Sequence, residues 1–283
     1  MDNLPETNNT LDAVTEIRLV TSAKGGVGKS TVCANLGAAL AESGKRVLLI
    51  DCDIANRCLD LMLGLQDTVL WGIHDVCAGT VSFTDAVYES PTLPNLHLLA
   101  GSRCTSDDIE EITHALPACV EEAKKGGYDH IIIDTPGGLH DILFSAADLV
   151  SEALIVSSAQ TTAIRSAEQT ALLLEEHGVP SLRLIVNQYM AASALAPKPF
   201  RTRRTKKATQ RAMNEAALSL ISTVDAVSLS LLGVVPFDAE LWDAQNRGCL
   251  INHPCLTDTF FASAHRNIAK RICGRTVPLF CAD

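Results

Sequence analysis

Apolar residues along the chain fall into short dense runs at 17–21, 47–50, 96–99, 130–133, 153–156, 182–186 and 231–235. Several are continuous rather than alternating, the pattern of strands covered on both faces. Between them, 30–43, 107–125, 162–177 and 209–224 carry Ala, Leu, Glu and Lys at helical spacing. Strand and helix in alternation predict a single doubly wound, mostly parallel α/β sheet with helices on both faces. Gly44 and Gly178 stand where helices should stop shortly before the next strand. No repeat, Gly/Ser linker or compositional break divides the chain. Residues 16–275 are therefore expected to form one domain, with 1–15 a disordered acidic lead-in and 276–283 a tail.

Composition narrows the picture. Of 283 residues, 47% are hydrophobic and 20% charged, ample for a packed interior and unlike a disordered chain. The richest apolar run, 226–237, is interrupted by Ser228, Ser230 and Gly233, well short of a membrane span. The first sixteen residues hold Asp2, Glu6, Asp12 and Glu16 without Lys or Arg, unlike a secretory signal. The ten cysteines include no CxxC, and the closest pairs, Cys52/Cys58 and Cys249/Cys255, are six apart. No two histidines lie three to five apart, so reduced cysteines, a cytoplasmic location and no zinc site are expected. The formal net charge of −10 should repel nucleic acid and anionic lipid. The exception is 198–207, where Lys198, Arg201, Arg203, Arg204, Lys206 and Lys207 gather without an acid, inside a basic surface excursion at 190–207. That run is either a solvated loop or an anion-binding surface for DNA or lipid.

The first apolar run leads into Ser22-Ala23-Lys24-Gly25-Gly26-Val27-Gly28-Lys29-Ser30-Thr31 and then directly into a helical pattern. Strand, Gly-rich loop and helix in this order make a phosphate-binding loop, because the glycines let backbone N–H groups converge on phosphate oxygens at a helix N-terminus. Lys29 is expected to bridge β- and γ-phosphates and the Ser30 hydroxyl to hold Mg²⁺. Ala23 stands where the general pattern has its first Gly, and Lys24 is an additional lysine. Asp51, Asp53 and Asp134 end two other strands, on the side where ligands bind in an open parallel sheet. Asp134 is the expected Mg²⁺ partner and Asp53 the group that orients water. Gly137 and Gly138 would let the backbone approach the γ-phosphate.

With both Lys24 and Lys29, this loop resembles the deviant Walker A motif of the MinD/ParA family of P-loop ATPases. Residues 49–64 resemble the first switch region of the MinD-like branch, Asp134-Thr135-Pro136-Gly137-Gly138 resembles the second, and 231–238 resembles the segment near the base. The likeness covers roughly 16–275. It implies an ATP- and Mg²⁺-dependent homodimer that hydrolyses ATP slowly under an activating protein partner and places the division septum. It implies that Gly25 to Thr31 cradle the nucleotide and that Lys24 reaches the partner's ATP as a charge stabiliser. Asp53 would be the hydrolytic carboxylate and Asp51 would back the Mg²⁺ site. Asn187, after the strand 182–186, would read the adenine edge, with Pro236 and Asp238 flanking base or ribose. The alternatives are a ParA-like partitioning ATPase that binds nonspecific DNA through 198–207, and a nucleotide-binding scaffold without hydrolysis. MinD-like chains end in a basic amphipathic membrane helix. Here Leu256, Phe260, Ala264, Ile268 and Ile272 read as a core-packing terminal helix, and Pro278 limits helix beyond it. Peripheral contact at the inner membrane face would then rest on Val277, Leu279 and Phe280, aided by Arg266, Lys270, Arg271 and Arg275.

Overall fold

The computed structural model of the chain describes residues 14–54, 56–101, 108–189, 220, 223–245 and 247–279. The basic run 198–207, most of the 209–224 helical reading, residues 1–13 and Phe280 lie outside them.

The strands are β1 (Glu16–Thr21), β2 (Val47–Asp51), β3 (Val87–Ser90), β4 (Leu93–Leu99), β5 (His130–Asp134), β6 (Glu152–Ser157), β7 (Leu182–Tyr189) and β8 (Ser230–Pro236). They form one sheet ordered β3-β4-β2-β5-β1-β6-β7-β8, parallel throughout except where β3 pairs antiparallel with β4. The helices are α1 (Lys29–Glu42), α2 (Leu59–Met62), α3 (Ile73–Cys77), α4 (Asp108–Lys125), α5 (Asp141–Ala147), α6 (Thr161–Glu176), α7 (Ala239–Gln245) and α8 (Phe260–Ile272). Among the described residues no helix is long and apolar enough to cross a membrane.

The continuous apolar runs serve two cores at once, because successive strand side chains point to opposite faces. Leu19, Leu48, Ile50, Ile131 and Ile133 pack with Ile112 and Leu116 of α4, Ile142 of α5 and Leu174 of α6. Val20, Val47, Leu49 and Ile132 pack with Val32, Leu36 and Leu40 of α1 and with Phe261 and Ile268 of α8. Gly233 of β8 is required by that second layer: a Cβ there would meet Ile268 Cγ1 at 2.3 Å. Gly44 and Gly178 adopt φ of 87° and 91°, the left-handed stops that let each chain turn back to its strand.

Three readings are corrected. The seven apolar runs become eight strands, because β3, with sequence VYES, is a four-residue edge strand with Glu89 exposed and no continuous apolar run. The strand at 182–186 continues to Tyr189, so Asn187 lies within β7 rather than after it. In the terminal helix Phe260 is exposed and Leu256 precedes the helix; the buried stripe is Phe261, Ala262, His265, Ile268 and Ala269. Ile268 is buried as expected and Ala264 and Ile272 pack partly buried against the core, so Phe260 is the one position of the expected stripe that faces out; Thr259 caps the helix by accepting the Ala262 N–H.

Candidate functional site

The carboxyl ends of β1, β2 and β5 are neighbours in the sheet, and everything polar that those ends carry meets there. β1 delivers the loop 22–28, which closes at Gly28 and opens α1 at Lys29. Gly28 has φ of 87°, and a Cβ on it would sit 2.2 Å from the Asn187 amide nitrogen. Both the backbone and the space demand glycine. Gly25 and Gly26 are exposed on the loop, Val27 is buried beneath it, and Ser30 and Thr31 are half-buried in the first turn of α1.

Lys29 is only 7% exposed. Its ammonium lies 3.6 Å from the position a Cβ would take on Gly137, so the loop after β5 folds over the lysine. The Gly138 N–H donates to the Ser22 carbonyl at 3.2 Å, tying the two loops together. Pro136, Gly137 and Gly138 are half-buried between them, with Leu139 exposed beyond.

Asp51, Asp53 and Asp134 form a buried acidic cluster. Asp51 Oδ1 accepts the Asp53 N–H at 3.0 Å and Oδ2 accepts the Leu59 N–H at 3.3 Å. Burial, and then the Asp134 charge, still push its carboxyl well above the usual range. Asp53 is held by the Asn56 amide, which donates to both of its oxygens at 3.0 and 3.1 Å. Asp134 is fully buried, and neither carboxylate oxygen accepts a hydrogen bond of ordinary geometry, though the Ser30 hydroxyl stands near enough to act on it. Burial raises its pKa to about 7, with the Ser30 hydroxyl and the Lys29 charge pulling the other way. A buried carboxylate left this exposed to its own desolvation cost is rare. A hard divalent cation would relieve it, and the available donors, the Asp134 carboxylate and the Ser30 hydroxyl, are the oxygen ligands Mg²⁺ prefers.

The remaining expected residues gather on the other flank. Within β7, the Asn187 amide donates to the Val27 carbonyl at 2.8 Å, and the Gln188 amide donates to Gly26 at 3.1 Å. Tyr189 pairs with Pro236 across β7 and β8, and Asp238 follows two residues on, half-buried. Lys24 points away from the acidic cluster: its ammonium donates to Gln160 Oε1 and Thr162 Oγ1, both at 2.9 Å, at the start of α6.

Several participants escaped the reading of the sequence. Gln160 and Thr162 lie more than 130 residues from Lys24 and match no motif. Asn56 and Gln188 are ordinary loop and strand-end polar residues until the fold brings them to Asp53 and Gly26. Gln188 did carry one signal after folding, a φ of +54° at a register shift in β7.

The family model described as "CobQ/CobB/MinD/ParA nucleotide binding domain" matches residues 19–251. The chain belongs to this MinD/ParA nucleotide-binding family. Among its relatives, the septum site-determining protein MinD of Synechocystis sp. is 34% identical over 265 residues, covering 93% of this chain and 91% of that protein. Among solved structures, MinD in the MinC:MinD cell division complex of Aquifex aeolicus is 32% identical with a TM-score of 0.76, covering 94% of this chain and 98% of that one. MinD of Pyrococcus horikoshii complexed with Mg-ADP is 28% identical with a TM-score of 0.70, over 92% and 96%. The MinD/ParA fold and the nucleotide-binding class thus follow from sequence family and structure together, and the main likeness is to septum site-determining proteins.

Proposed function

We propose that this chain is a MinD-like spatial regulator of cell division, an ATPase switch that dimerises on ATP and resets by hydrolysis. One observation carries the chemistry: the buried, hydrogen-bond-starved carboxylate of Asp134 beside Ser30 and Lys29 at the mouth of the phosphate loop. In this reading the loop amides of Gly25 to Thr31 bind the phosphates, and Lys29 neutralises the β/γ oxygens. Ser30 and Asp134 hold Mg²⁺, with Asp51 behind them; when bound, the ion would neutralise charge on the phosphate oxygens. Asp53, released from Asn56, orients the attacking water. Lys24 leaves Gln160 and Thr162 and crosses to the ATP of a second copy, supplying charge where the transition state gathers it. Pro136, Gly137 and Gly138 sense the γ-phosphate and change the dimer face when it departs. Asn187, Pro236 and Asp238 form the base and ribose flank.

A regulatory protein partner is part of this proposal and is supported by a relative that was solved in complex with MinC. Docking of the ATP dimer at the inner membrane face belongs to the same proposal. A partitioning role on DNA would instead act through 198–207.

The decisive test is Asp53→Ala. ATP hydrolysis should be abolished while ATP-dependent dimerisation survives, read by phosphate release and by sedimentation velocity with ATP. Persistent turnover would remove Asp53 from the mechanism. Co-sedimentation of the ATP form with anionic liposomes, against a nonspecific DNA duplex at low and high salt, separates the membrane from the DNA reading.

A further inference from the structure

Cys249 and Cys255 are six residues apart, a spacing that by itself suggests no metal. Folding changes that, because His253 lies between them and the 247–257 turn curls back on itself. The His253 N–H donates to the Leu250 carbonyl at 2.9 Å, and the Leu256 and Thr257 N–H groups donate to the His253 carbonyl at 2.9 and 3.0 Å. The Cys249 sulfur, the Cys255 sulfur and a ring nitrogen of His253 then all lie within 4.8 Å of one another. Tetrahedral zinc with sulfur and nitrogen ligands places its ligand atoms about 3.4–3.8 Å apart, so small side-chain rotations suffice.

The polarity of the histidine is also set. The Cys255 backbone N–H donates to His253 Nδ1 at 3.3 Å, and the Cys255 Sγ stands 2.9 Å from the same nitrogen. Nδ1 is therefore the acceptor nitrogen beside the Cys255 thiol, and a metal would take over the lone pair that the Cys255 N–H now engages. Cys249 is buried beside Ala244, Leu256 and Leu241, while His253 and Cys255 are exposed, so the site has an apolar floor and an open entrance. Its frame is anchored from outside: Asn35 Oδ1 accepts the Ile251 N–H at 3.1 Å, and Arg266 donates to the Ile251 and Thr257 carbonyls. None of these residues belongs to the nucleotide site.

We propose that Cys249, His253 and Cys255 form a zinc site, with water as the fourth ligand. Zn²⁺ binds two thiolates and neutral Nδ1, the two thiol protons leave to solvent, and no electron is transferred. The metal braces the turn against the segment after Asp53, since Gly248 packs on Gly64 so closely that a Cβ would meet the Gly64 Cα at 2.8 Å.

The test uses the full reduced chain, stripped of metal and titrated with Zn²⁺ and with Co²⁺. The expected result is one equivalent bound, a thiolate-to-cobalt absorption band, and release of protons into weak buffer. Cys255→Ser and His253→Ala, both at exposed positions, should each weaken Co²⁺ binding by roughly tenfold to a hundredfold or more while ATP binding is retained. Absence of the thiolate band in the unmodified chain overturns the proposal. So does Co²⁺ affinity in both variants equal to that of the unmodified chain, or a Cys249–Cys255 disulfide in protein kept under reducing conditions.

Discussion

The two ends of the sheet handle buried charge in opposite ways. At the amino end, Glu152 opens β6 between Arg18 of β1 and Arg183 of β7. Arg18 Nε donates to it at 2.8 Å, Arg183 Nη2 at 2.6 Å, and Arg183 Nε bonds its other oxygen, with Ser181 adding a hydroxyl. Burial pushes this carboxyl up, but the two guanidinium groups outweigh it and hold it below its ordinary range. At the carboxyl end three aspartates are buried together, and the Asp134 oxygens make no hydrogen bond of ordinary geometry, with only the nearby Ser30 hydroxyl and Lys29 charge to offset their burial. The first arrangement is complete without a ligand; the second is complete only with one. Buried acids of the same kind therefore separate into a structural clamp and a binding site, according to whether the protein itself supplies the counter-charge.

The sharpest way to break this contrast is to remove Lys24, the cation proposed to cross to the ATP of a second copy. Lys24→Ala should lower partner-stimulated ATP hydrolysis by roughly 10³–10⁵-fold, as for a charge-stabilising finger. Its bonds to Gln160 and Thr162 are at the surface, so unfolding free energy should move by no more than about 0.5 kcal/mol. Single-turnover hydrolysis with urea unfolding on the same sample checks both halves. The mirror experiment is Glu152→Gln, which leaves Arg18 and Arg183 facing a neutral group. It should cost about 3–5 kcal/mol in urea unfolding yet leave hydrolysis within about twofold. A large loss of turnover at retained stability would erase the division between the two ends.

The fold was legible because the doubly wound pattern is written locally: continuous apolar runs, helical spacing, and Gly44 and Gly178 at two helix stops. The phosphate loop was legible for the same reason, since Lys24 to Thr31 act as one contiguous unit. The misses share a different cause. β3 offers four residues of mixed polarity, too few for a period to emerge. Phe260 sits on the outer side because the buried face of the helix runs through Phe261, Ala262, His265 and Ile268, and an i, i+4 spacing does not tell Phe260 from Phe261. Asn56, Gln160 and Gln188 act through contacts that only the tertiary fold creates, and His253 turned an uninformative cysteine pair into a cluster by the curl of one turn.

The unpartnered state of Asp134 also sharpens the comparison through pH. Its pKa is about 7 in the fold against an ordinary value near 4 in an unfolded chain. Between those values the folded protein keeps a proton that the unfolded chain has lost. Stability of the ligand-free protein should therefore fall as pH rises from about 4 to about 7 and level off above. Asp51, raised in the same direction, adds to the slope. Glu152, held low, works the other way: its contribution is present above the ordinary range and disappears as pH falls through its lowered value. Asp134→Asn should flatten the fall and gain about 1–2 kcal/mol at pH 8, the gain limited because an amide there still lacks partners. Thermal melts of the ligand-free protein across pH, repeated with Mg²⁺ and ATP, measure this. A slope that is unchanged in the variant would assign the titration elsewhere.

The smallest effect tests how the loop is held before ligand arrives. Asn187 and Gln188 each donate to a phosphate-loop carbonyl, one from a buried position and one from the surface. Each bond is worth about 1 kcal/mol, so either alanine variant should weaken ADP binding by about fivefold if positioning the loop is all it does. Reading the base is a separate role, and only Asn187 is assigned to it. Asn187→Ala should therefore also narrow the preference for ATP over GTP, whereas Gln188→Ala should weaken both nucleotides equally. Equal losses in the two variants, with base preference intact, would leave Asn187 as a strut for Val27. The buried polar group nearest the loop would then belong with Glu152, among the contacts that the protein completes by itself.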